Sequence, residues 1–526
     1  MLARNALLPP GRSARPSSVC SGLFSRRVRI TQEIYTGAAH WVAVQIFALA
    51  VLYPALTTPL IADDFLNPFD QFRQSGAGLG RNLGDAWKIV FSGASFRPVG
   101  GLVGALYNWW WLQANAHLGL GIETAYALTK AAVFSFTITA GTLVIARVLR
   151  LLGSTTHFSR IHFAFAAVFS LTLQIHGGWS NDPVVSYPLS GFLSTSLSLI
   201  FLWSMLGFVQ RPCARGTIFP SFLAVFAVAN YELSFGAVLG GSLLVFLFAV
   251  LMPQVSTNRR RLALVGQVPL VVSIVFVVCG RVIVGSASST YAGTTVRIDH
   301  HFPFTAVRTL ASSLPASAWV LSRDALGGSV ALSARTLIVA VVALAAGTML
   351  VLESGQTKPD LRLARRLIVA PVAMLLTYWL SAAGLQAMTV KVQDEAPRIG
   401  YVYTHYAVGA TVVAVIVALL LLLVPWSRVR RPAVVLLFGT LSILSTVQLT
   451  VNWRLAERLR QTTIPNQNLI ESYSENRPFG ERCAALRDWT AGQWPAYYEN
   501  QMVDGIKSAF QHFHGEEFCG AYVPNP

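Results

Sequence analysis

Long apolar segments recur along the whole chain, and they constrain the fold more than any other feature of the sequence. Of the 526 residues, 54% are hydrophobic and only 12% are charged, which is too apolar for a soluble globular protein of this length. Segments of about 20 apolar residues have the length of a membrane-spanning helix. We therefore predict an all-α polytopic membrane protein. Its roughly eleven predicted spans lie near 41–60, 124–146, 162–175, 187–208, 218–230, from 235 onward, 262–284, 336–352, 367–387, 407–424 and 432–451.

The basic residues indicate how these spans are oriented. The chain has 40 Lys and Arg against 23 Asp and Glu, a formal net charge of +17, and cytoplasmic loops collect such cations. Arg26-Arg27-Val28-Arg29 precedes the first span without the pattern of a removed signal peptide, which predicts a cytoplasmic N-terminus. The later basic clusters also fall inside if the segment around Trp109-Trp110-Trp111 lies in the membrane interface instead of crossing it. The sequence contains no nucleic-acid-binding motif, so we expect no nucleic-acid partner.

This topology divides the chain into three parts. We predict a basic cytoplasmic tail at 1–36, a transmembrane domain at 37–451 and a small extracytoplasmic domain at 452–526; within the transmembrane domain, 61–123 forms the first outer loop with interfacial helices. Cys483 and Cys519 share the polar C-terminal part, where an oxidising compartment would favour a disulfide between them. The alternative is two unrelated thiols.

Asp63 and Asp64 form an adjacent acidic pair at the outer end of the first span. Carboxylates are expensive to place near lipid, so a chemical role is the first hypothesis, and a solvated helix end is the alternative. The other unusual polar residues also fall in the predicted outer loops. They are Arg97, Asp182, Glu232, Arg297, His300, His301, Arg398, Tyr401, Tyr403 and His405. Acids and guanidinium groups at a lipid–water boundary suit a reaction on a lipid-linked phosphate.

An acidic pair after the first span, an interfacial helix opened by Arg97-Pro98, a short-looped helical bundle and a trailing outer domain resemble the GT-C superfamily of integral membrane glycosyltransferases. The resemblance covers the architecture of nearly the whole chain, whereas its sequence motif is confined to a few residues. It implies a polyprenyl-phosphate-linked sugar as donor, a glycan, lipid or protein as acceptor, and a location in the bacterial inner (plasma) membrane. It also implies that Asp63 or Asp64 acts as the general base or binds a divalent cation such as Mg or Mn.

Several other residues are carried over from the same resemblance. Asp182 resembles the second-loop acid of some members, although Asn181-Asp182-Pro183 also reads as a turn. Tyr231-Glu232 resembles a Tyr-Glu pair of bacterial members, and a helix cap is the alternative for Glu232.

For the donor phosphate we favour Arg398, with Lys391 and Arg297 behind it. The alternative for Arg398 is a surface ion pair with Asp394 or Glu395. The spacing of Tyr401, Tyr403 and His405 places them on one side of an extended segment that could line a sugar pocket, or the tyrosines are interface anchors. His300 and His301 are metal-ligand candidates or ordinary surface residues.

The function predicted from the sequence is thus extracytoplasmic glycosyl transfer. A lipid or polysaccharide transporter is one alternative, and it would need mid-span charges such as Lys130 and Arg281 to face a common cavity. A membrane acyltransferase is the second alternative, with His162 as the nearest candidate for its histidine.

Overall fold

The structure is a computed structural model. It describes residues 37–92, 96–154, 156–176, 182–212, 214–251, 259–284, 295–319, 361–396, 398–424, 431–492 and 495–520, with four further positions between 334 and 341. The predicted N-terminal tail at 1–36 and nearly all of the predicted span at 336–352 lie outside these residues. Within the described parts, regular structure is helical, and the only pairing of strand type is an isolated bridge between Val296 and Thr389.

Seven helices in the described chain are long and apolar enough to cross a membrane. They are Ile122–Leu151, Leu189–Gln210, Glu232–Leu251, Leu262–Ile283, Leu367–Ala387, His405–Leu423 and Pro432–Thr462. Two shorter apolar helices, Gly37–Val51 and Phe158–Thr172, accompany them. The prediction of an all-α, multi-pass membrane protein is confirmed, and the lipid bilayer is its environment. The total of eleven spans stays a prediction.

The first apolar segment is broken near its predicted end. Helix α1, Gly37–Val51, is followed by the single turn α2, Tyr53–Leu56, which has Pro54 in its first turn. Three helices then precede the next long one: α3, Ala62–Ser75; α4, Leu79–Ser92; and α5, Pro98–Leu118. The Trp-rich helix α5 is not among the seven long apolar helices.

The remaining helices continue in chain order as α6, Ile122–Leu151; α7, Phe158–Thr172; α8, Ser194–Gln210, preceded by a π-helical turn; α9, Ile218–Asn230; α10, Phe235–Leu251; α11, Arg259–Val265; α12, Val268–Val284; α13, Phe302–Ser312; α14, Leu361–Ala387; α15, Val390–Glu395; α16, His405–Leu423; α17, Arg431–Thr462; α18, Ile464–Ser474; α19, Phe479–Thr490; and α20, Ala496–His514.

Small residues allow the helices of the bundle to approach closely. A Cβ atom on Gly240 of α10 would lie 2.4 Å from the carbonyl oxygen of Met374 in α14. A Cβ atom on Gly141 of α6 would lie 2.2 Å from the ring of Phe165 in α7. Helices in lipid associate through such close packing, since burial of apolar surface gives them little advantage there.

A second hydrophobic core joins the C-terminal helices to α3, α5 and the beginning of α6. Its buried members include Phe65, Phe69, Trp111, Tyr126 and Trp489. The packing is tight, because a Cβ atom on Gly505 would lie 2.6 Å from the carbonyl oxygen of Phe69. The C-terminal helices therefore support the helix that carries the acidic pair.

The predicted domain boundary at 452 falls inside a continuous helix, since α17 extends to Thr462. Beyond it, Cys483 and Cys519 are joined by a disulfide with a sequence separation of 36. The buried guanidinium of Arg482, next to Cys483, donates to the Phe518 and Glu517 carbonyls at 3.1 and 3.0 Å. The disulfide and these hydrogen bonds both fix the chain beyond α20 against α19.

Candidate active site

Asp63 and Asp64 occupy the first turn of α3, which follows the extended residue Ile61. Ala62 has a φ of 52°, a left-handed conformation that is uncommon for a residue with a Cβ atom. Carboxylates in a first turn are stabilised by the positive end of the helix dipole. The chain therefore turns sharply after the first apolar helix and presents both acids at one end of the bundle, which we call the acid end.

Asp64 is only 5% exposed. Its Oδ2 accepts hydrogen bonds from the Tyr126 hydroxyl and from the backbone N–H of Tyr187, both at 2.9 Å. Burial raises the pKa of Asp64 to about 6, although these two hydrogen bonds and the charge of Lys130 act in the opposite direction. Asp64 is thus held in one position by elements distant in sequence, and it exchanges its proton near neutral pH.

Lys130 provides the buried positive charge near Asp64. Its Nζ donates to the Ala55 carbonyl and the Thr58 hydroxyl, both at 2.8 Å, and lies 4.2 Å from the centre of the Tyr126 ring. A buried ammonium group without acceptors would be costly, and these contacts satisfy it. Arg281, the other mid-span cation, is exposed on α12, so the two cations do not share a buried cavity.

Asp63 is exposed, unlike its neighbour. The Tyr187 hydroxyl forms a hydrogen bond with Asp63, while the backbone N–H of the same tyrosine binds Asp64. Tyr187 has a φ of 54°, so two of the four described non-glycine residues with positive φ, Ala62 and Tyr187, adjoin the acids. Backbone strain of this kind persists where surrounding contacts fix it, and it concentrates at functional sites.

The C-terminal helices cover another side of the acids. The Tyr498 hydroxyl of α20 donates to the Ala62 carbonyl at 2.9 Å. Burial and the charge of Asp63 raise the pKa of Tyr498, which places this hydroxyl close to the exposed acid. The rings of Phe65 and Tyr498 both contact Trp489, at centroid distances of 5.8 and 6.5 Å. The acid end is therefore complete only with the C-terminal part in place.

Asp182 organises the turn that leads to Tyr187. It is fully buried, and its carboxylate accepts from the backbone N–H groups of His176 at 2.7 Å and Val184 at 2.9 Å. Its carbonyl accepts from the Ser186 N–H at 2.7 Å. Of the two interpretations of Asn181-Asp182-Pro183, these contacts favour the turn, because the carboxylate is used to fix the backbone. Asp182 thus fixes the backbone that leads to Tyr187.

Arg97 and Glu232 meet although 135 residues separate them. Arg97 Nε lies 2.6 Å from Glu232 Oε2, and the guanidinium stacks 4.1 Å from the centre of the Tyr231 ring. Burial alone would lower the pKa of Arg97, but the charge and hydrogen bond of Glu232 hold it above its ordinary value. The guanidinium of Arg97 therefore stays charged at the start of α5.

Gly100 permits this contact. A Cβ atom at Gly100 would lie 2.3 Å from the carbonyl oxygen of Asn230, the last residue of α9. Any side chain there would separate α5 from α9. Since Arg97 and Glu232 immediately flank this crossing, the glycine brings the two charges together.

Tyr403 is near both Arg97 and Tyr187, the tyrosine that binds the two acids. It interacts electrostatically with Arg97 and with Tyr187. Lys391 Nζ lies 5.3 Å from the centre of the Tyr403 ring and 4.0 Å from Glu395. One connected group at the acid end thus forms from five separate stretches of sequence. Its members are Asp63, Asp64, Arg97, Glu232, Tyr403 and Lys391.

The other two predicted phosphate ligands, Arg297 and Arg398, form no hydrogen bond or ion pair with the described members of this group. Arg297 Nη2 is 2.6 Å from Asp394 and Arg297 Nε is 3.7 Å from Asp299, so Arg297 ties its segment to α15. Arg398 is exposed, and its side chain forms no hydrogen bond or ion pair with the described residues. The surface ion pair considered for Arg398 with Asp394 is instead made by Arg297.

The predicted alternation of Tyr401, Tyr403 and His405 holds only in its first part. The two tyrosines are half-buried on either side of the fully buried Val402. Helix α16 begins at His405, whose side chain is 1% exposed and lies near His176. His405 therefore departs from the side that the tyrosines share, because the extended backbone ends before it.

Carboxylate oxygens suit a divalent cation, but the described acid end provides only part of a ligand set. Asp63 is accessible, whereas Asp64 is engaged by two hydrogen bonds. Within the described residues, the closely spaced group of three metal-ligand side chains is Asp299, His300 and His301, all exposed. Asp63 would therefore need ligands from substrate or water to hold a cation, and no reaction step is assigned to one.

The sequence interpretation missed three tyrosines of the site, Tyr126, Tyr187 and Tyr498. Their hydroxyl groups contact Asp64, Asp63 and the backbone beside them. Tyr126 lies four residues before Lys130, and this spacing places two side chains on one face of a helix. The isolated mid-span lysine was therefore the sequence signal that could have pointed to Tyr126. The sequence holds no comparable signal for Tyr187 and Tyr498.

No known protein family, no characterised protein and no solved structure matches this chain. Fold and site together define a class: a polytopic, helical membrane protein that carries a buried acid, an exposed acid and a partly buried arginine–glutamate pair at one end of its bundle.

Proposed function

We propose that this chain is a membrane glycosyltransferase of GT-C type, which transfers a sugar from a polyprenyl-phosphate donor to a glycan, lipid or protein acceptor on the extracytoplasmic side of a bacterial inner membrane. The observation that carries the proposal is the connected group at the acid end. It offers an accessible carboxylate, Asp63, beside a buried one, with cations at the same end.

In the proposed reaction, the acceptor hydroxyl attacks the anomeric carbon of the donor sugar. Asp63 takes the hydroxyl proton as the new C–O bond forms, since it is the accessible acid. The bond between that carbon and the phosphate oxygen breaks, and the polyprenyl phosphate leaves with the electron pair. Lys391 and the exposed Arg398 stabilise the departing phosphate.

The other members of the group position the reacting ones. Tyr187 binds both acids at once, and Asp64 anchors this tyrosine through its backbone. The Arg97–Glu232 pair fixes the beginning of α5 near Tyr403, which in this proposal contacts the sugar. The disulfide between Cys483 and Cys519 accords with an oxidising, extracytoplasmic location for the C-terminal part.

The donor class is tested by incubating membranes that contain the protein with radiolabelled polyprenyl-phosphate sugars. We expect label to pass into an acceptor for at least one sugar, and not with membranes that lack the protein. If a panel of hexose and pentose donors gives no protein-dependent transfer or release of polyprenyl phosphate, the proposal is wrong.

A further inference from the structure

A cavity of about 450 Å³ opens at the other end of α6 from the acids. It is lined by the beginnings of α1 and α7, with Gly37, His40, Trp41, His157, Phe158, Ser159 and His162. We call this pocket the His162 cavity. The Gln45 amide joins His162 to Thr139 of α6, and between Tyr126 and Thr139 this helix rises by about 20 Å. The cavity shares no lining residue with the acid end.

His162 presents an unused hydrogen-bond donor at this cavity. Its side chain is 1% exposed, and its Nε2 lies 3.1 Å from the amide nitrogen of Gln45. Because that amide can only donate, His162 accepts at Nε2 and carries its proton on Nδ1. Nδ1 has no hydrogen-bond partner among the described residues. A buried donor without an acceptor is costly, so the cavity suits a ligand that supplies an acceptor.

The beginning of α7 adds positive potential at the same place. His157 precedes the first turn, and no side chain caps the backbone N–H groups there. The nearby imidazole of His40 contacts the Ser159 carbonyl oxygen at 3.1 Å instead of these N–H groups. A helix beginning with free N–H groups favours an anion.

The charged residues in three segments toward this end of α6 are all basic. Segments 37–50, 140–162 and 203–217 contain no Asp or Glu, and their charged residues are Arg147, Arg150, Arg160, Arg211 and Arg215. Arg147 joins the end of α6 to the end of α8 by stacking 5.0 Å from the centre of the Trp203 ring. The net charge near the cavity is therefore positive, which favours an anionic ligand.

The rim of the cavity is aromatic. Trp41 and Phe158 are 39% and 41% exposed, at the ends of two apolar helices where a membrane interface would lie. Tryptophan and other amphipathic rings are favoured at headgroup level.

We propose that the His162 cavity binds the phosphate group of an anionic lipid headgroup. The His162 Nδ1–H and the first N–H groups of α7 would donate to the phosphate oxygens, and the aromatic rim would contact the glycerol backbone of the lipid. This site does not depend on the proposed transfer reaction, since it shares no residue with the acid end.

The test is native mass spectrometry of the purified full chain, titrated with dioleoylphosphatidylglycerol or with the zwitterionic dioleoylphosphatidylcholine. We expect the anionic lipid to bind about tenfold more tightly or better, and His162→Phe to abolish this preference. Gly37→Trp provides a second variant, because a Cβ atom at Gly37 meets nothing within 4 Å and the indole can fill the cavity. His117→Phe on α5 is the matched control and should retain the preference.

A competition arm separates a lipid headgroup from a soluble phosphate. Glycerol 3-phosphate at millimolar concentration should not displace the lipid if the rim contributes to binding, and displacement would assign the cavity to a soluble phosphate ester instead. Equal binding of the two lipids by the unmodified protein would overturn the proposal. A preference for the anionic lipid that survives in Gly37→Trp would also overturn it. This second variant tests the proposal even if His162→Phe fails to fold.

Discussion

Asp64→Asn isolates the energetic effect of burying a carboxylate at the acid end. The pKa of Asp64 is raised from 3.8 to about 6, so between these pH values the folded protein binds a proton that the unfolded chain releases. Stability that is present below pH 4 is therefore lost as the pH rises through about 6. The pKa shift from 3.8 to about 6 corresponds to about 3 kcal/mol in the free energy of unfolding. Asparagine keeps the shape and does not ionise, so the variant should lack this loss.

The measurement is thermal unfolding of the detergent-solubilised protein between pH 4.5 and 8, followed by tryptophan fluorescence. Between pH 4.5 and 8 about 2 kcal/mol of this stability is lost, which for a chain of this length corresponds to about 2 °C in Tm. We expect the Tm of the unmodified protein to fall by about that amount relative to Asp64→Asn over this range. Asp70→Asn is the matched control, since Asp70 lies on the same helix but pairs with Arg73 at 2.8 Å. Parallel pH profiles for the unmodified protein and Asp64→Asn would refute the reasoning.

Three further predictions concern the surroundings of the acids. Ala62→Gly should raise the Tm, because glycine relieves a left-handed conformation that costs about 1–2 kcal/mol, and a lowered Tm would contradict the strain. Arg97→Gln and Glu232→Gln should each reduce sugar transfer about tenfold or more, while the double variant should lose less than the two effects combined, as a double-mutant cycle of transfer rates would measure. Cys483→Ser should destabilise the C-terminal helices by about 4 kcal/mol and make them sensitive to limited proteolysis, whereas unchanged protease resistance would show that the bridge contributes little.

The helical, membrane-spanning character of the chain could be predicted because it depends on composition and segment length alone. Breaks within apolar segments were harder to place. The first predicted span at 41–60 contains Pro54, yet the hydropathy of the segment is continuous, so the separate turn Tyr53–Leu56 was not foreseen. The continuation of α17 through 452 was obscured in the same way, because a helix can leave the membrane without ending.

The site could be predicted in its members better than in its pairings. Asp63 and Asp64 were recognisable because adjacent acids at the end of an apolar span are unusual. The contact between Arg97 and Glu232 was not, since it depends on the crossing of α5 and α9 at Gly100. Which acid is buried also depends on tertiary structure, because Tyr126 of α6 and Tyr187, which follows the turn at Asp182, both donate to Asp64.

The most direct test of the proposed chemistry compares Asp63→Asn with Asp70→Asn in purified, reconstituted protein supplied with a radiolabelled polyprenyl-phosphate sugar and acceptor. If Asp63 is the general base, its substitution should lower the rate of label transfer by about 100-fold or more while the protein still inserts and unfolds normally, and Asp70→Asn should transfer at the unmodified rate. Full transfer activity in Asp63→Asn would contradict the account.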